Sequence, residues 1–247
     1  MSNSSKSFHA RIDWPAVREL EARSLPEPID ALNLVSFADE VSYRWYGLLL
    51  APRLLVLGVR PVWVATREKV VLGEMGADEM VIIEYPNHRL LLKAVTGRYY
   101  RLVNRLREKG VRWLEFSLTK RLRITPDLKR SSRFLVAQFN APEREKDPLI
   151  AVAEILESGP SRLVYASREL ATLSVFHPML PSDPNPPRYN QTAVFTIPEV
   201  EAPAALPDDR QISRLKEAAP GLSLQLYRRL TNWEAMPWSR RRMGQTV

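Results

Sequence analysis

The stretch Val62-Trp63-Val64-Ala65-Thr66-Arg67-Glu68 decides the fold, because a closely similar stretch follows later in the same chain. Leu163-Val164-Tyr165-Ala166-Ser167-Arg168-Glu169 repeats its pattern at an offset of 101 residues. The same offset places Leu34-Val35 on Leu135-Val136, each at the start of a strand-like run. Matches that share one offset indicate an internal duplication.

A third match extends the duplication toward the end of the chain. The stretch Gly110 to Leu114 aligns with Gly221 to Gln225, at an offset of 111 residues. The second copy therefore needs about ten additional residues, and a proline-rich loop at 178–190 supplies them.

Hydrophobic periodicity predicts the same order of elements, βαββαβ, in both copies. The predicted elements of the first copy are Ala31–Ala38, Asp39–Leu57 (helix), Arg60–Glu68 continued by Val70–Glu74, Glu79–Tyr85, Asn87–Lys109 (helix) and Val111–Leu118. Those of the second are Arg133–Asn140, Pro142–Glu157 (helix), Arg162–His177, Thr192–Ile197, Asp208–Ala219 (helix) and Leu222–Leu230.

This order predicts an α+β protein made of two tandem ferredoxin-like βαββαβ units, packed face to face as an intramolecular dimeric α/β barrel. We assign residues 1–29 to an N-terminal arm and 30–126 to the first unit. The second unit is 131–232 with its inserted loop at 178–190, and 233–247 form a basic C-terminal tail.

Composition removes several classes of site and of location. The chain has 247 residues and no cysteine, which excludes disulfides, thiolate metal sites and a cysteine nucleophile. Its polar first residues do not resemble a signal peptide, so we expect a cytoplasmic protein. The most apolar stretch, Gly47 to Ala65, contains Arg53 and Arg60 and is interpreted as core, with no transmembrane segment.

The net charge of +8 is concentrated in one segment. Residues 87–130 hold 13 lysines and arginines against three acidic residues, a local balance of +10. Within it a basic stripe, Arg98, Arg101, Arg105 and Lys109, recurs at helical spacing, opposite Leu91, Val95, Leu102 and Leu106. Such a stripe is typical of a solvated helix face or of a surface for an anionic partner, either an acidic protein, lipid head groups or nucleic acid.

Nucleic acid is the least favoured of these partners, because the strands lack the glycine-aromatic signature of RNA-binding ferredoxin-like domains. A tail that joins Trp238 to Arg240, Arg241 and Arg242 could tether the chain to a partner. A homo-oligomer is left open.

A set of residues in the first copy resembles a known superfamily. The set is Tyr43, Tyr46, Ala51-Pro52, Leu55, Gly58, Trp63, Asp78-Glu79, Glu84-Tyr85-Pro86, Leu90 and Tyr99-Tyr100. Together they look like the dimeric α/β-barrel proteins of ferredoxin-like topology, and most like a small bacterial family with a Tyr-Pro motif after the third strand. The resemblance implies a scaffold shared with cofactor-free monooxygenases, isomerases, cyclases and some haem enzymes, with a ligand between sheet and helices.

The first helix carries the candidate ligand-binding residues. Tyr43, Tyr46 and Leu50 share one face at a 3.6-residue period, so the phenols could orient an apolar or aromatic ligand. The same pattern is typical of ordinary core residues. Trp63, Tyr85 and Tyr99, from the resembling set, complete the predicted ligand-binding residues.

Glu84, His88 and His177 are the candidate catalytic residues. Glu84 ends a buried strand and His88 follows the next turn, so the two could move a proton between them. They are equally consistent with a rim carboxylate and a first-turn helix residue. His177 ends a predicted strand, and either histidine could be the axial ligand if the protein held haem; otherwise we expect no cofactor and no metal site.

Two hypotheses follow. In the first, the protein is a small-molecule enzyme, a cofactor-independent oxygenase, isomerase or cyclase acting on an apolar or aromatic metabolite. In the second, it is a non-catalytic binding or assembly protein that uses the basic helix and tail to contact an anionic partner. A cavity of about 300 Å³ or more under the first unit's helices would favour the enzyme.

Overall fold

A computed structural model of the chain describes residues 11–12, 14–74, 76–141, 147–172, 176–177, 189–198, 206–231 and 234–237. The strands are β1 Arg11–Ile12, β2 Ile29–Phe37, β3 Arg60–Leu72, β4 Glu79–Tyr85, β5 Val111–Ile124, β6 Arg133–Phe139, β7 Arg162–Thr172, β8 Phe176–His177, β9 Gln191–Ile197 and β10 Ser223–Arg229. The helices are α1 Trp14–Ala22, α2 Glu40–Val56, α3 His88–Thr96, α4 Arg98–Gly110, α5 Pro148–Glu157 and α6 Asp209–Ala218, with a 3-10 turn at Pro126–Lys129.

Eight strands close into an antiparallel barrel in the order β10-β3-β4-β2-β5-β7-β9-β6. Each unit contributes a ferredoxin-like sheet, β3-β4-β2-β5 in the first and β7-β9-β6-β10 in the second. The fourth strand of each unit pairs with the second strand of the other, as β5 with β7 and β10 with β3. Both units therefore supply the seams that close the barrel, and the predicted fold class is confirmed.

The sheets bury two kinds of surface. The barrel interior is filled by residues of both units, among them Trp63, Met80, Phe134 and Tyr227. Outside the barrel, α1 to α4 cover the first unit's sheet and α5 and α6 cover the second. Because side chains alternate along a strand, each strand contributes to the interior and to one of these outer cores.

The helix starts follow local capping. The Asp39 carboxylate accepts a hydrogen bond from the Ser42 amide at the start of α2, and Asn87 does the same for Leu90 in α3. Asp208 and Gln211 form a capping box at the start of α6. Each bond satisfies a backbone N–H that the first turn of a helix leaves without a partner.

The structure corrects several predicted boundaries. The single helix predicted over Asn87–Lys109 is two helices, because Gly97 is extended and interrupts the backbone between α3 and α4. The break changes the phase of α4, so Leu102, predicted on the buried side, is exposed. Strand β5 runs on to Ile124, beyond the predicted end at Leu118, because its second half pairs with β7.

The second unit shows comparable differences. The strand predicted over Arg162–His177 ends at Thr172, and β8 pairs instead with β1. Helix α5 begins at Pro148, after Asp147, whereas the predicted start at Pro142 and most of the 178–190 loop lie outside the described residues. Helix α1 was not predicted. No helix in the described part of the chain is both long enough and apolar enough to cross a membrane.

Candidate functional site

A cavity of about 390 Å³ lies between the first unit's sheet and its covering helices. Strands β2 to β5 form its floor and α2, α3 and α4 its walls, with Ala235 and Met236 at one side. Its polar lining residues are Asn33, Tyr43, Arg44, Tyr46, Glu79, Tyr85, Tyr100 and Arg107, and the rest of the lining is almost wholly apolar. This is the composition of a site for a mainly apolar ligand with a few oriented polar groups.

Helix α2 places two phenols in the cavity wall. Tyr43 and Tyr46 are three residues apart, so both point from the same side of the helix, and their rings lie 5.7 Å apart. The Tyr46 hydroxyl donates a hydrogen bond of 3.2 Å to the Tyr100 hydroxyl on α4. Tyr43 packs on Phe37 of β2 at 5.3 Å between ring centroids, which fixes its orientation.

Three phenols of the cavity, Tyr43, Tyr46 and Tyr85, stay protonated at neutral pH. Burial raises the pKa of Tyr43, and the nearby Glu79 carboxylate raises it further. Burial likewise raises the pKa of Tyr46 and of Tyr85. A protonated phenol can donate a hydrogen bond to an acceptor oxygen, whereas it cannot serve as a base. These tyrosines are therefore suited to orienting a ligand.

A buried ion pair lies at the end of the cavity near the start of α2. The Arg44 guanidinium donates to both Glu79 oxygens, one at 2.9 Å, and also to Glu40 at 2.9 Å. Glu79 is 1% exposed, so the arginine supplies the compensation that a buried carboxylate requires. Arg44 also lies over the Phe37 ring at 5.3 Å. This pair holds α2 onto β4 and leaves Glu79 strongly bound.

Arg107 of α4 brings a second guanidinium to the cavity. It is buried, and its guanidinium carbon lies 5.8 Å from the centre of the Tyr100 ring. Arginine keeps its charge in such surroundings, so the wall that holds the Tyr46–Tyr100 hydrogen bond is electropositive. The sequence-based prediction missed Arg44, Glu79, Tyr100 and Arg107 as site residues. Tyr100 and Arg107 could have been found from their spacing, because residues seven apart on a helix such as α4 lie on the same face.

Glu84, predicted as catalytic, lies on the other side of the sheet. Its carboxylate accepts a hydrogen bond of 2.8 Å from Arg121, which also binds Asp30 through two nitrogens. Asp30 is 1% exposed and accepts a further hydrogen bond of 2.9 Å from Tyr165 of the second unit. Glu84 therefore belongs to a cluster that ties the two units together, and it does not line the cavity.

The other predicted residues are divided between cavity and core. His88 begins α3, where its side chain is buried outside the cavity lining. Trp63 lies in the barrel interior, and Tyr99 is outside the cavity with its hydroxyl donating to the Leu49 carbonyl oxygen at 2.6 Å. The backbone of His177 pairs with that of Arg11, while its side chain is outside the described residues. Of the predicted ligand-binding residues, Tyr43, Tyr46 and Tyr85 line the cavity.

A histidine-ligated haem does not fit this cavity. Histidine is a common axial ligand of haem iron, and no histidine is among the described residues that line it. Nor do three or more metal-ligating side chains gather anywhere in the described part of the chain. The roles predicted for Glu84, His88 and His177 stay predictions, without support from the cavity.

No protein-family model and no curated protein matches the chain. Solved structures do. A protein of unknown function from Rhodopseudomonas palustris is 23% identical, covers 44% of this chain and 94% of its own, and has a TM-score of 0.40. A candidate monooxygenase from Fusobacterium nucleatum is 14% identical, covers 84% of this chain and 94% of its own, and has a TM-score of 0.49. A mutant chlorite dismutase from Candidatus Nitrospira defluvii is 7% identical, covers 89% of this chain and 97% of its own, and has a TM-score of 0.46.

The chain has the architecture of the dimeric α/β-barrel superfamily. That statement rests on its own strand order, in which the fourth strand of each βαββαβ unit closes the barrel on the second strand of the other. A shared architecture does not transfer a substrate or a reaction. What this chain binds has to be argued from its cavity.

Proposed function

We propose that the first unit is the active unit of a small-molecule enzyme that acts on an apolar or aromatic metabolite carrying an acceptor oxygen. The observation that carries the proposal is the cavity itself, about 390 Å³, apolar over most of its wall and supplied with phenols on one side. Such a cavity is large enough for a compact ring system and has few polar groups to satisfy.

The cavity favours chemistry in which negative charge develops on the ligand oxygen. Tyr43 is a protonated donor, Tyr46 donates its proton to Tyr100 and so orders that phenol, and the Arg107 guanidinium adds positive charge to the same wall. Donors fixed in advance around a developing oxyanion stabilise it because they need little reorganisation in a site with little water. We therefore assign the protein to the broad class of cofactor-independent oxygenases, isomerases and cyclases, with the cavity wall orienting the ligand oxygen.

Glu79 is the one carboxylate among the described residues of the cavity lining, and we do not assign it the role of base. Both of its oxygens accept hydrogen bonds from the Arg44 guanidinium, so neither is directed at a ligand. In the proposal Glu79 positions α2, while the ligand is oriented by the phenols.

The test combines ligand discovery with a matched pair of variants. Native mass spectrometry of the protein purified from its own host should show a retained small molecule. Tyr43→Phe should then weaken binding of that molecule by up to about tenfold, since a hydrogen bond to a buried acceptor is worth up to about 1.4 kcal/mol. Tyr99→Phe is the control, because it removes a hydroxyl that lies outside the cavity.

Binding should also be insensitive to pH between neutrality and pH 10. The raised pKa values of Tyr43 and Tyr46 mean that both phenols keep their protons through the pH at which an ordinary tyrosine begins to ionise. Calorimetric titration at both ends of that range measures this. Loss of binding near pH 10, or equal effects of the two Tyr→Phe variants, would contradict the proposed role of the phenols.

A further inference from the structure

The outer side of α2 carries an exposed apolar ridge that the proposed function does not use. The ridge consists of Val41, Trp45, Leu49 and Val56, which recur at spacings of four, four and seven residues and therefore lie along one side of the helix. Trp45 is 42% exposed. A tryptophan and three aliphatic side chains along one helix form a continuous apolar patch, which on a protein surface marks an interaction site.

Helix α4 extends this patch. The Tyr99 hydroxyl donates to the Leu49 carbonyl oxygen, which brings that side of α4 against α2. Leu102, one turn after Tyr99 and 63% exposed, therefore lies beside the ridge.

The basic stripe borders the same patch. Arg98, Arg101 and Arg105 lie on the exposed side of α4, next to Leu102, and none of them forms an ion pair with the described residues. Lys109, at the end of the stripe, lies 3.6 Å from the Asp39 carboxylate. The composite surface thus has an apolar centre on α2 and a row of arginines on α4, within a segment whose local charge balance is +10.

The second unit shows that the fold does not require such a surface. Its α5, the counterpart of α2, exposes one large apolar residue, Ile150, among those the structure describes. Its α6, the counterpart of α4, mixes Arg210, Arg214 and Lys216 with acidic residues. The ridge and the stripe are properties of the first unit, and they coincide with the unit that holds the cavity.

We propose that this surface docks the protein on the face of an anionic lipid bilayer. Helices that lie in the membrane interface combine tryptophan and aliphatic residues, which enter the head-group region, with arginines that bind anionic lipid heads. Two copies of the chain meeting through this surface would bring two rows of arginines together, which opposes self-association. The row of arginines also selects a negatively charged partner.

The ridge adjoins the cavity where Leu55, which lines it, is 65% exposed, and we take this as the mouth of the cavity. Leu48 and Leu55 lie on the flank of α2 next to the ridge, and both line the cavity. Docking through α2 would therefore turn this mouth toward the acyl chains, and an apolar ligand dissolved in the bilayer has a path into the cavity. This last step rests on the proposed function, whereas the docking itself does not.

The test is sedimentation of the full chain with vesicles, without added ligand. The protein should bind vesicles that contain one third phosphatidylglycerol in phosphatidylcholine, should bind vesicles of phosphatidylcholine alone weakly, and should dissociate as salt is raised. Trp45→Ser combined with Leu49→Ser should lower the vesicle affinity by at least about tenfold, because it removes the side chains that enter the interface. Arg101→Glu combined with Arg105→Glu should lower it by a similar or larger factor.

The second unit supplies the matched controls. Ile150→Ser removes an exposed apolar side chain from α5, and Arg210→Glu with Arg214→Glu reverses the charge of α6, and both should leave vesicle affinity unchanged. Circular dichroism establishes that every variant is folded. Absence of binding to the anionic vesicles, equal binding to both kinds of vesicle, or equal effects of control and test variants would overturn the proposal.

Light scattering decides between the bilayer and a second copy of the chain. A dimer of the unaltered protein that Trp45→Ser with Leu49→Ser converts to a monomer would overturn the proposal in favour of self-association. Binding of the retained small molecule in solution should survive that double substitution, since neither side chain lines the cavity. Loss of vesicle binding with intact ligand binding, and the reverse, thus separate a failure of docking from a failure of the proposed function.

Discussion

At the scale of single residues, the first unit pairs two buried carboxylates with arginines, one on each side of its sheet. Arg44 binds Glu79 on the cavity side of the sheet, and Arg121 binds Asp30 on the barrel side. A buried ion pair contributes little net stability, but removal of one partner leaves the other charge buried and costly. These pairs consequently constrain position. The first holds α2 over the cavity, and the second holds β2 to β5, while the Tyr165 hydroxyl joins the same Asp30 carboxylate to β7.

The second pair gives a stability prediction. Arg121→Met should lower the free energy of unfolding by about 3 kcal/mol, because it leaves the Asp30 carboxylate buried with the Tyr165 hydroxyl as its one side-chain partner among the described residues. Asp30→Asn added to Arg121→Met should recover part of that loss, since an amide carries no charge. Urea denaturation followed by circular dichroism measures both values.

Arg130→Met is the control for Arg121→Met. The Arg130–Asp127 pair is 3.9 Å long, and its side chains are 79% and 60% exposed. An exposed pair of this kind is worth about 0.5 kcal/mol or less. If Arg121→Met cost no more than Arg130→Met, the Asp30–Arg121 pair would not contribute to the stability of the cluster described above.

The sequence allowed part of the cavity to be predicted at this scale. Tyr43 and Tyr46 were found because helical period alone places them on the side of α2 that meets the sheet. Tyr99 was predicted from the resembling set, where Tyr99 and Tyr100 stand side by side, and the structure has Tyr100 in the cavity lining. Glu84 was placed correctly at a strand end but on the opposite side, since a residue's face depends on a register that only pairing defines.

At the scale of elements, α2 and α4 meet so closely that a glycine is required. A Cβ on Gly110, at the end of α4, would lie 2.5 Å from the Tyr43 nitrogen and 2.9 Å from its Cα. Both are backbone atoms, so the contact cannot be relieved by rotation of a side chain. Glycine at position 110 thus allows α2 and α4, two walls of the cavity, to approach each other this closely.

Gly110→Ala should therefore destabilise the protein by about 2 kcal/mol, in the range of overpacked cores. Gly47→Ala is the matched control, because Gly47 lies inside α2 and a Cβ added to it would have no neighbouring atom within 4 Å. That substitution should raise stability by about 0.5 kcal/mol or more, since alanine is the better helix former. Thermal unfolding of the two variants measures the difference; a Gly110→Ala variant as stable as Gly47→Ala would contradict the close approach.

The strands also show that a sequence repeat predicts topology but not strand register. The duplication of topology was predictable, yet the match of Leu34-Val35 with Leu135-Val136 is wrong by one residue. Leu34 faces the barrel interior, whereas Leu135 faces the helices of its unit. A shift by one position exchanges the two faces of a strand, so aligned hydrophobic letters do not define the register when both faces are buried.

At the scale of the whole molecule, the two units share one core and cannot be separated without opening the barrel. Trp63 of the first unit packs edge-to-face on Phe134 of the second, with ring centroids 5.1 Å apart. Each unit also covers the outer strands of the other through the β5–β7 and β10–β3 seams. The duplication was predictable from the matches at one offset, and the order of elements from periodicity. The length of the seams was not predictable, because the outer halves of β3 and β5 pair only with strands of the other unit. The proposed division of the chain at 126–131 stays a prediction.

Shared seams predict that the chain unfolds as one cooperative body. Phe195→Ala, a change in the helix-facing core of the second unit alone, should cost about 3 to 5 kcal/mol. Because loss of the second unit exposes two edges of the first unit's sheet, the slowest-exchanging amides of β2 should lose protection by the same free energy as those of β6. Hydrogen exchange with mass spectrometry measures this, with Ile150→Ala on exposed α5 as the neutral control. Unchanged protection in β2 would mean that the first unit folds alone, and the barrel would then be a docked pair of independent domains.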